Sequence, residues 1–188
     1  MKRLLMILLL LVLAGCTPPP SWQKVETSTL NAPSGTYSAD FPIGWSHFSV
    51  GDAVLVSRDG PALQLLKITR RDLDKAFPQT KNSASVDMLS SELADAVIGE
   101  IKSEVEAADV LENAPAQIDG AKGVRIHFRY ANQEGLRFDE VIYAFVDPQG
   151  LYLLSYHAPT LYYFERDLGA FEKAVASFKR GKIAPKES

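Results

Sequence analysis

Val124-Arg125-Ile126-His127-Phe128-Arg129-Tyr130 alternates apolar and polar side chains without a break, and a period of two marks a strand with one buried face. Asn132 to Gly135 turns the chain into residues 136–146, which are apolar at nearly every position. A strand of that kind is covered on both faces. Asp147-Pro148-Gln149-Gly150 then reads as a hairpin: proline presets φ at the second turn position and glycine takes the left-handed place after a type I turn. Residues 151–158 run back. Three consecutive strands joined by short turns must be antiparallel.

Upstream of this meander the period changes. Val86, Leu89, Leu93, Val97, Ile101 and Val105 recur every three or four residues, which predicts one amphipathic helix of about five turns. Ser83 or Ser85 is the expected cap and Asp87 suits the positive end of the dipole; Gly99 is the weak point. Glu92, Asp95, Glu100 and Glu104 form its acidic side, a solvated face or a docking face. Nearer the start, residues 37–41, 45–50, 53–57 and 63–69 read as short strands separated by Pro42-Ile43-Gly44, Gly51-Asp52 and Arg58-Asp59-Gly60-Pro61. Strand structure resumes from Leu111, with a turn at Asp119-Gly120. Beyond Pro159-Thr160, the stripe Leu161, Phe164, Leu168, Phe171, Val175 and Phe178 predicts a closing helix, ended by Lys179, Arg180 and Lys182. The expected fold is therefore α+β: an antiparallel sheet flanked by two helices, an α/β/α sandwich over residues 35–180.

The first residues are of another kind. Lys2 and Arg3 precede an uninterrupted apolar run from Leu4 to Leu13, too short for a membrane-spanning helix and of the form of a secretory signal. Leu13-Ala14-Gly15-Cys16 resembles the bacterial lipobox, which implies cleavage after residue 15 and lipid on Cys16; the alternative is a secreted protein whose cysteine happens to sit at the cut. Two or three chains would make attachment effectively permanent. Thr17 stands where an aspartate would favour inner-membrane retention, so the resemblance implies the outer membrane in a Gram-negative host. Residues 16–34, with Pro18-Pro19-Pro20, read as a tether, and 181–188 as a tail.

The chain has 188 residues, 20 basic and 23 acidic, for a net charge of −3. Scattered, mildly acidic charge leaves no electrostatic footprint for nucleic acid. Cys16 is the only cysteine, so no internal disulfide forms. His47, His127 and His157 lie far apart with no metal-ligand spacing, and no cofactor is expected. Gly44-Trp45-Ser46-His47-Phe48 lacks the second glycine of a nucleophile elbow, and no phosphate-cradling glycine run appears. A catalytic triad assembled from distant residues leaves no such local trace. Arg125, His127 and Arg129 share a strand face, either an anion-binding stripe or a polar face offset by cross-strand carboxylates. Tyr152, Tyr156, Tyr162 and Tyr163 crowd into the last strand and the start of the last helix. They are the candidate binding surface, with packing beneath the closing helix as the alternative.

Phe41-Pro42-Ile43-Gly44-Trp45, the long mid-chain helix, the meander and the ending Ala176-Ser177-Phe178-Lys179 together resemble the Mog1/PsbP-like fold, to which lipoproteins of the DcrB type belong. The resemblance implies a binding module rather than a catalyst, with Phe41, Pro42 and Trp45 as packing residues and no binding residue carried over. The expected function is a lipid-anchored envelope module that recruits or stabilises a protein partner. A carrier or sensor of a small apolar ligand is the alternative, and an unrecognised hydrolase comes last.

Overall fold

Residues 21–105 and 107–181 are described by the computed structural model; the apolar leader, Cys16 and the tail from 182 onward lie outside the described residues. The alternating run 124–130 lies in β8 (Ala121–Ala131), paired antiparallel with β7 (Asp109–Ile118) and β9 (Arg137–Asp147). β10 (Gly150–Pro159) returns along β9, with Gly150 opposite Asp147. The turn needs glycine for space, because a Cβ at Gly150 would stand 2.4 Å from the Arg71 carbonyl oxygen.

A second meander of β4 (Ser46–Val50), β5 (Ala53–Ser57) and β6 (Leu65–Arg71) joins the first where β6 pairs with β10. With β1 (Gln23–Lys24) on β4, the eight strands run β1-β4-β5-β6-β10-β9-β8-β7, every neighbour antiparallel. One face of β8 and β9, with Val124, Ile126, Phe128 and Ile142, packs against α1 (Ser90–Glu104) through Leu93, Ala94 and Val97. The opposite face of the sheet, with Tyr152, Leu154 and Tyr156 of β10, packs against α2 (Tyr163–Ser177) through Phe164, Phe171 and Ala174. Beside α2 a three-stranded sheet, β2 (Thr29–Asn31), β3 (Tyr37–Asp40) and β11 (Lys179–Arg180), completes that layer. Tyr37 stitches the small sheet to the large one: its hydroxyl donates to the Ile68 carbonyl at 2.7 Å and accepts from the Val54 N–H at 3.1 Å. The α+β class and the two flanking helices are as expected.

Three boundaries differ from the sequence expectation. The tether 16–34 is shorter than its composition indicates, because β1 and β2 lie within it and Val25 and Ala32 are buried. Helix α1 begins at Ser90: the Leu89 N–H donates to Glu92 at 2.8 Å, and Val86 and Leu89 stand exposed outside the helix. Ser83 and Ser85 are therefore not its cap. Helix α2 likewise excludes Leu161, which is exposed, and Phe178, which is fully buried just past its end. Lys179 and Arg180 pair with β3 rather than ending the helix. Asp119 holds them through Lys179 Nζ at 3.0 Å and Arg180 Nε at 3.2 Å.

Candidate functional site

The expected tyrosine surface divides. Tyr152 and Tyr156 point inward from β10 and are fully buried. Tyr152 stacks on Phe145 at 4.7 Å, and the Tyr156 hydroxyl donates to the Tyr163 carbonyl at 2.8 Å, tying the strand to the start of α2. For these two the surface reading is corrected to core packing: they alternate onto the face that α2 covers. Tyr163 is half-buried and Tyr162 is exposed. Tyr162 has φ 71° and ψ −56°, and the Tyr163 N–H bonds the Leu161 carbonyl at 2.9 Å. That is a positive-φ γ-turn, rare and strained for any residue with a Cβ. The Arg166 guanidinium lies 5.1 Å and 5.0 Å from the Tyr162 and Tyr163 ring centres, clamped from behind by Asp59 and Asp167. Asp167 is buried; burial pushes its carboxyl up, but Arg166, Gln64 and Arg58 outweigh that and hold it below the usual range. A rigid arginine thus braces an exposed aromatic beside an exposed Leu161.

The Arg125, His127 and Arg129 face is offset by carboxylates. Asp139 takes Arg129 in a forked pair and His127 at 2.7 Å, and Arg125 meets Glu112, Glu172 and the Tyr143 hydroxyl.

A different place is open. Helix α1 lies over β7, β8 and β9, and beside it a recess of about 270 Å³ drops onto β6 and β10. Its floor is set by register. Leu65, His157, Glu140 and Phe128 form one cross-strand row, and Lys67, Ser155, Ile142 and Ile126 the next. Adjacent members of such rows hold their Cβ atoms about 5 Å apart. Four polar side chains therefore make one block, Lys67 beside Ser155 and His157 beside Glu140. Leu65, Leu153, Phe77, Val97 and Ile101 surround it. Among the described residues Lys67 has no ion pair and Ser155 no side-chain hydrogen bond.

Burial pushes the Glu140 carboxyl up to about 7, helped by Glu104 and opposed by Lys67 and the Tyr130 hydroxyl. Burial, with Lys67, lowers the affinity of His157 for a proton. Ser155, His157 and Glu140 share the recess, but no hydrogen bond links them; a nucleophile needs a base within reach and that base an orienting partner. They do not form a triad in this structure.

No family model and no curated protein matches the chain. Solved structures do. CyanoP, the cyanobacterial PsbP of Synechocystis sp. PCC 6803, superposes with a TM-score of 0.54 at 12% identity, over 89% of this chain and 96% of that one. The Ran-binding protein Mog1p of Saccharomyces cerevisiae gives 0.52 at 10% identity, over 85% and 96%. The chain has the Mog1/PsbP-like fold. A Bacteroides thetaiotaomicron protein is also similar, with a TM-score of 0.50 at 10% identity over 84% of this chain, which spans half of that protein's length. At such identities the likeness concerns the fold, and function has to be argued from the site.

In this Mog1/PsbP-like domain the sequence reading missed the two buried carboxylates that line the recess. Glu100, expected on the solvated side of the helix, is 4% exposed and accepts from the Gln79 N–H at 3.1 Å and the Thr80 N–H at 3.0 Å, with Arg71 at 3.4 Å. The spacing held the signal, since Glu100 follows Val97 by three and Leu93 by seven and so shares their stripe. Glu140 sits in a strand covered on both faces, where a charged residue without a partner is itself a flag.

Proposed function

We propose that this chain is a lipid-anchored, non-catalytic binding module of the cell envelope, held through Cys16 at the outer membrane of a Gram-negative host, which recruits or steadies an envelope protein. Leu161 and Tyr162 are its contact point. The observation that carries this is the γ-turn: a strain of roughly 1–3 kcal/mol is kept at Tyr162, whose ring meets only its helix neighbours Tyr163 and Arg166 and, like Leu161, stands largely in solvent outside the core. Exposed tyrosine backed by arginine has the composition of interface hot spots. Mog1p, a protein of the same fold, is described as Ran-binding, so the scaffold serves protein recognition elsewhere.

Two variants in intact cells test it. Cys16→Ser should leave the chain uncleaved or free of the membrane; processing and envelope fractionation unchanged from wild type would end the lipoprotein reading. Tyr162→Gly removes the ring and suits the turn, so folding should persist while a cross-linked partner is lost. The same cross-links at the same yield would place the contact elsewhere.

The recess supports a second reading, the carrier or sensor of a small apolar ligand. It is concave, mostly apolar and furnished with a few convergent polar groups, as ligand sites are. Ligand-dependent protection of α1 and β10 amides from exchange would support it.

A further inference from the structure

We propose that the recess between α1 and the β6–β10 floor binds a small amphipathic anion, a carboxylate on an apolar body, with Lys67 as its counter-charge and Ser155 and Glu140 as hydrogen-bond donors. This rests on the second reading above and names the ligand class.

The argument starts from what is already satisfied. Arg71 and Glu100 line the recess but are engaged with each other, and Glu100 also with the Gln79 and Thr80 backbone. Arg71 donates further to the Ala76 carbonyl at 2.9 Å. Neither is free to meet a ligand. Lys67 is different: an ammonium on the floor of a half-covered cavity, placed by register beside a hydroxyl and with no carboxylate in contact among the described residues. A partly desolvated charge without a partner is costly, and a bound anion relieves that cost.

The other groups agree in sign. Burial keeps the Glu140 carboxyl protonated up to about 7, and in that form it donates a hydrogen bond rather than repelling an anion. His157 is neutral and keeps one ring N–H to give. From β8 the Tyr130 hydroxyl faces Glu140 at 3.5 Å, and from α1 the exposed Glu104 faces it at the rim. Glu104 is the one negative charge here without an ion pair among the described residues, and it stands at the mouth rather than on the floor. Leu65, Leu153, Val97 and Ile101 give the apolar body its wall. A volume of about 270 Å³ lies just under the range of drug-sized pockets, which limits the ligand to a short chain or a single ring.

The sign of the pH dependence follows. An anion requires Glu140 to stay protonated, so affinity weakens as pH rises through about 7. An amine would bind better over the same interval. Calorimetric titration of the full chain with octanoate, 1-octanol and octylammonium separates these cases. Octanoate should bind tightest, weaken severalfold between pH 6 and pH 8, and lose roughly tenfold or more in Lys67→Met, while octanol is unaffected by that substitution. Glu140→Gln, which cannot ionise, should flatten the pH profile of octanoate binding; a profile as steep as that of the unaltered chain would overturn the role of Glu140. Equal affinity for octanoate and octanol would leave a ligand pocket but overturn the anion. Octylammonium binding best, and tighter at high pH, would overturn it in favour of a cation. If no probe binds, the proposal and the carrier reading fall together. The probe comparison on the unaltered chain stands even if Lys67→Met folds poorly.

Discussion

Replacing Glu140 by glutamine should stabilise this protein, and only above a definable pH. The carboxyl belongs near 4.5 in an unfolded chain and near 7 in the fold. A folded-state value that is raised means the native protein holds a proton the unfolded chain has released. The stability linked to that proton is fully present below about pH 4.5 and is lost as pH rises through about 7. The gap between the two values corresponds to roughly 3 kcal/mol once both states have titrated. Glutamine keeps the shape and stays neutral, so the variant avoids that loss. In urea titrations, Glu140→Gln and wild type should have matching free energies near pH 4.5 and diverge steadily above it. By pH 8 the variant should be ahead by an amount approaching that figure. Other titrating groups cancel in the difference between the two proteins. A gap that is independent of pH, or a variant weaker than wild type at pH 8, would refute the account of Glu140 as a buried carboxyl that resists ionisation.

Other outcomes follow from packing. Phe171→Ala removes a fully buried ring in contact with Tyr156 and Tyr143, and should cost roughly 3–5 kcal/mol in denaturant unfolding. Glu100→Ala leaves two backbone N–H groups and Arg71 without their acceptor in a buried place, and a loss of roughly 3 kcal/mol is expected by the same measurement. Gly123→Ala would place a Cβ 2.2 Å from the Ala144 carbonyl oxygen, forcing β8 and β9 apart; a drop in melting temperature equivalent to at least about 1–3 kcal/mol is expected.

The parts of this fold that could be read from sequence are those in which one side of an element is wet and the other dry. β8 shows it in a clean alternation, and the β9–β10 hairpin adds turn chemistry. β7 is less plain because it is the edge strand: most of its residues are exposed, and its register slips between Val110 and Glu112. β1 and β2, two and three residues long, are too short to carry a period, and the prolines before them give the region the look of a linker. Val86 and Leu89 keep helical spacing outside the helix because spacing records what a segment would allow, not where its backbone stops. The recess was out of reach for a different reason. Glu140, Ser155 and His157 come from the β9–β10 hairpin, but Lys67 comes from β6, far earlier in the chain, and only the pairing of β6 with β10 sets it beside the others. The tyrosines drew the eye by composition, yet composition does not say to which side of β10 a ring turns.

β1 has a consequence for where the domain can work. With Gln23 already hydrogen-bonded into the sheet opposite His47, only a few residues lie between it and the proposed lipid on Cys16. Fully extended, that leash spans at most roughly 25 Å. If Cys16 carries lipid as proposed, so short a leash would confine the domain to a shallow layer next to the bilayer, without reach across the compartment. A partner would then have to come to the membrane, by being embedded there, by sliding along it, or by delivering a ligand that partitions into it.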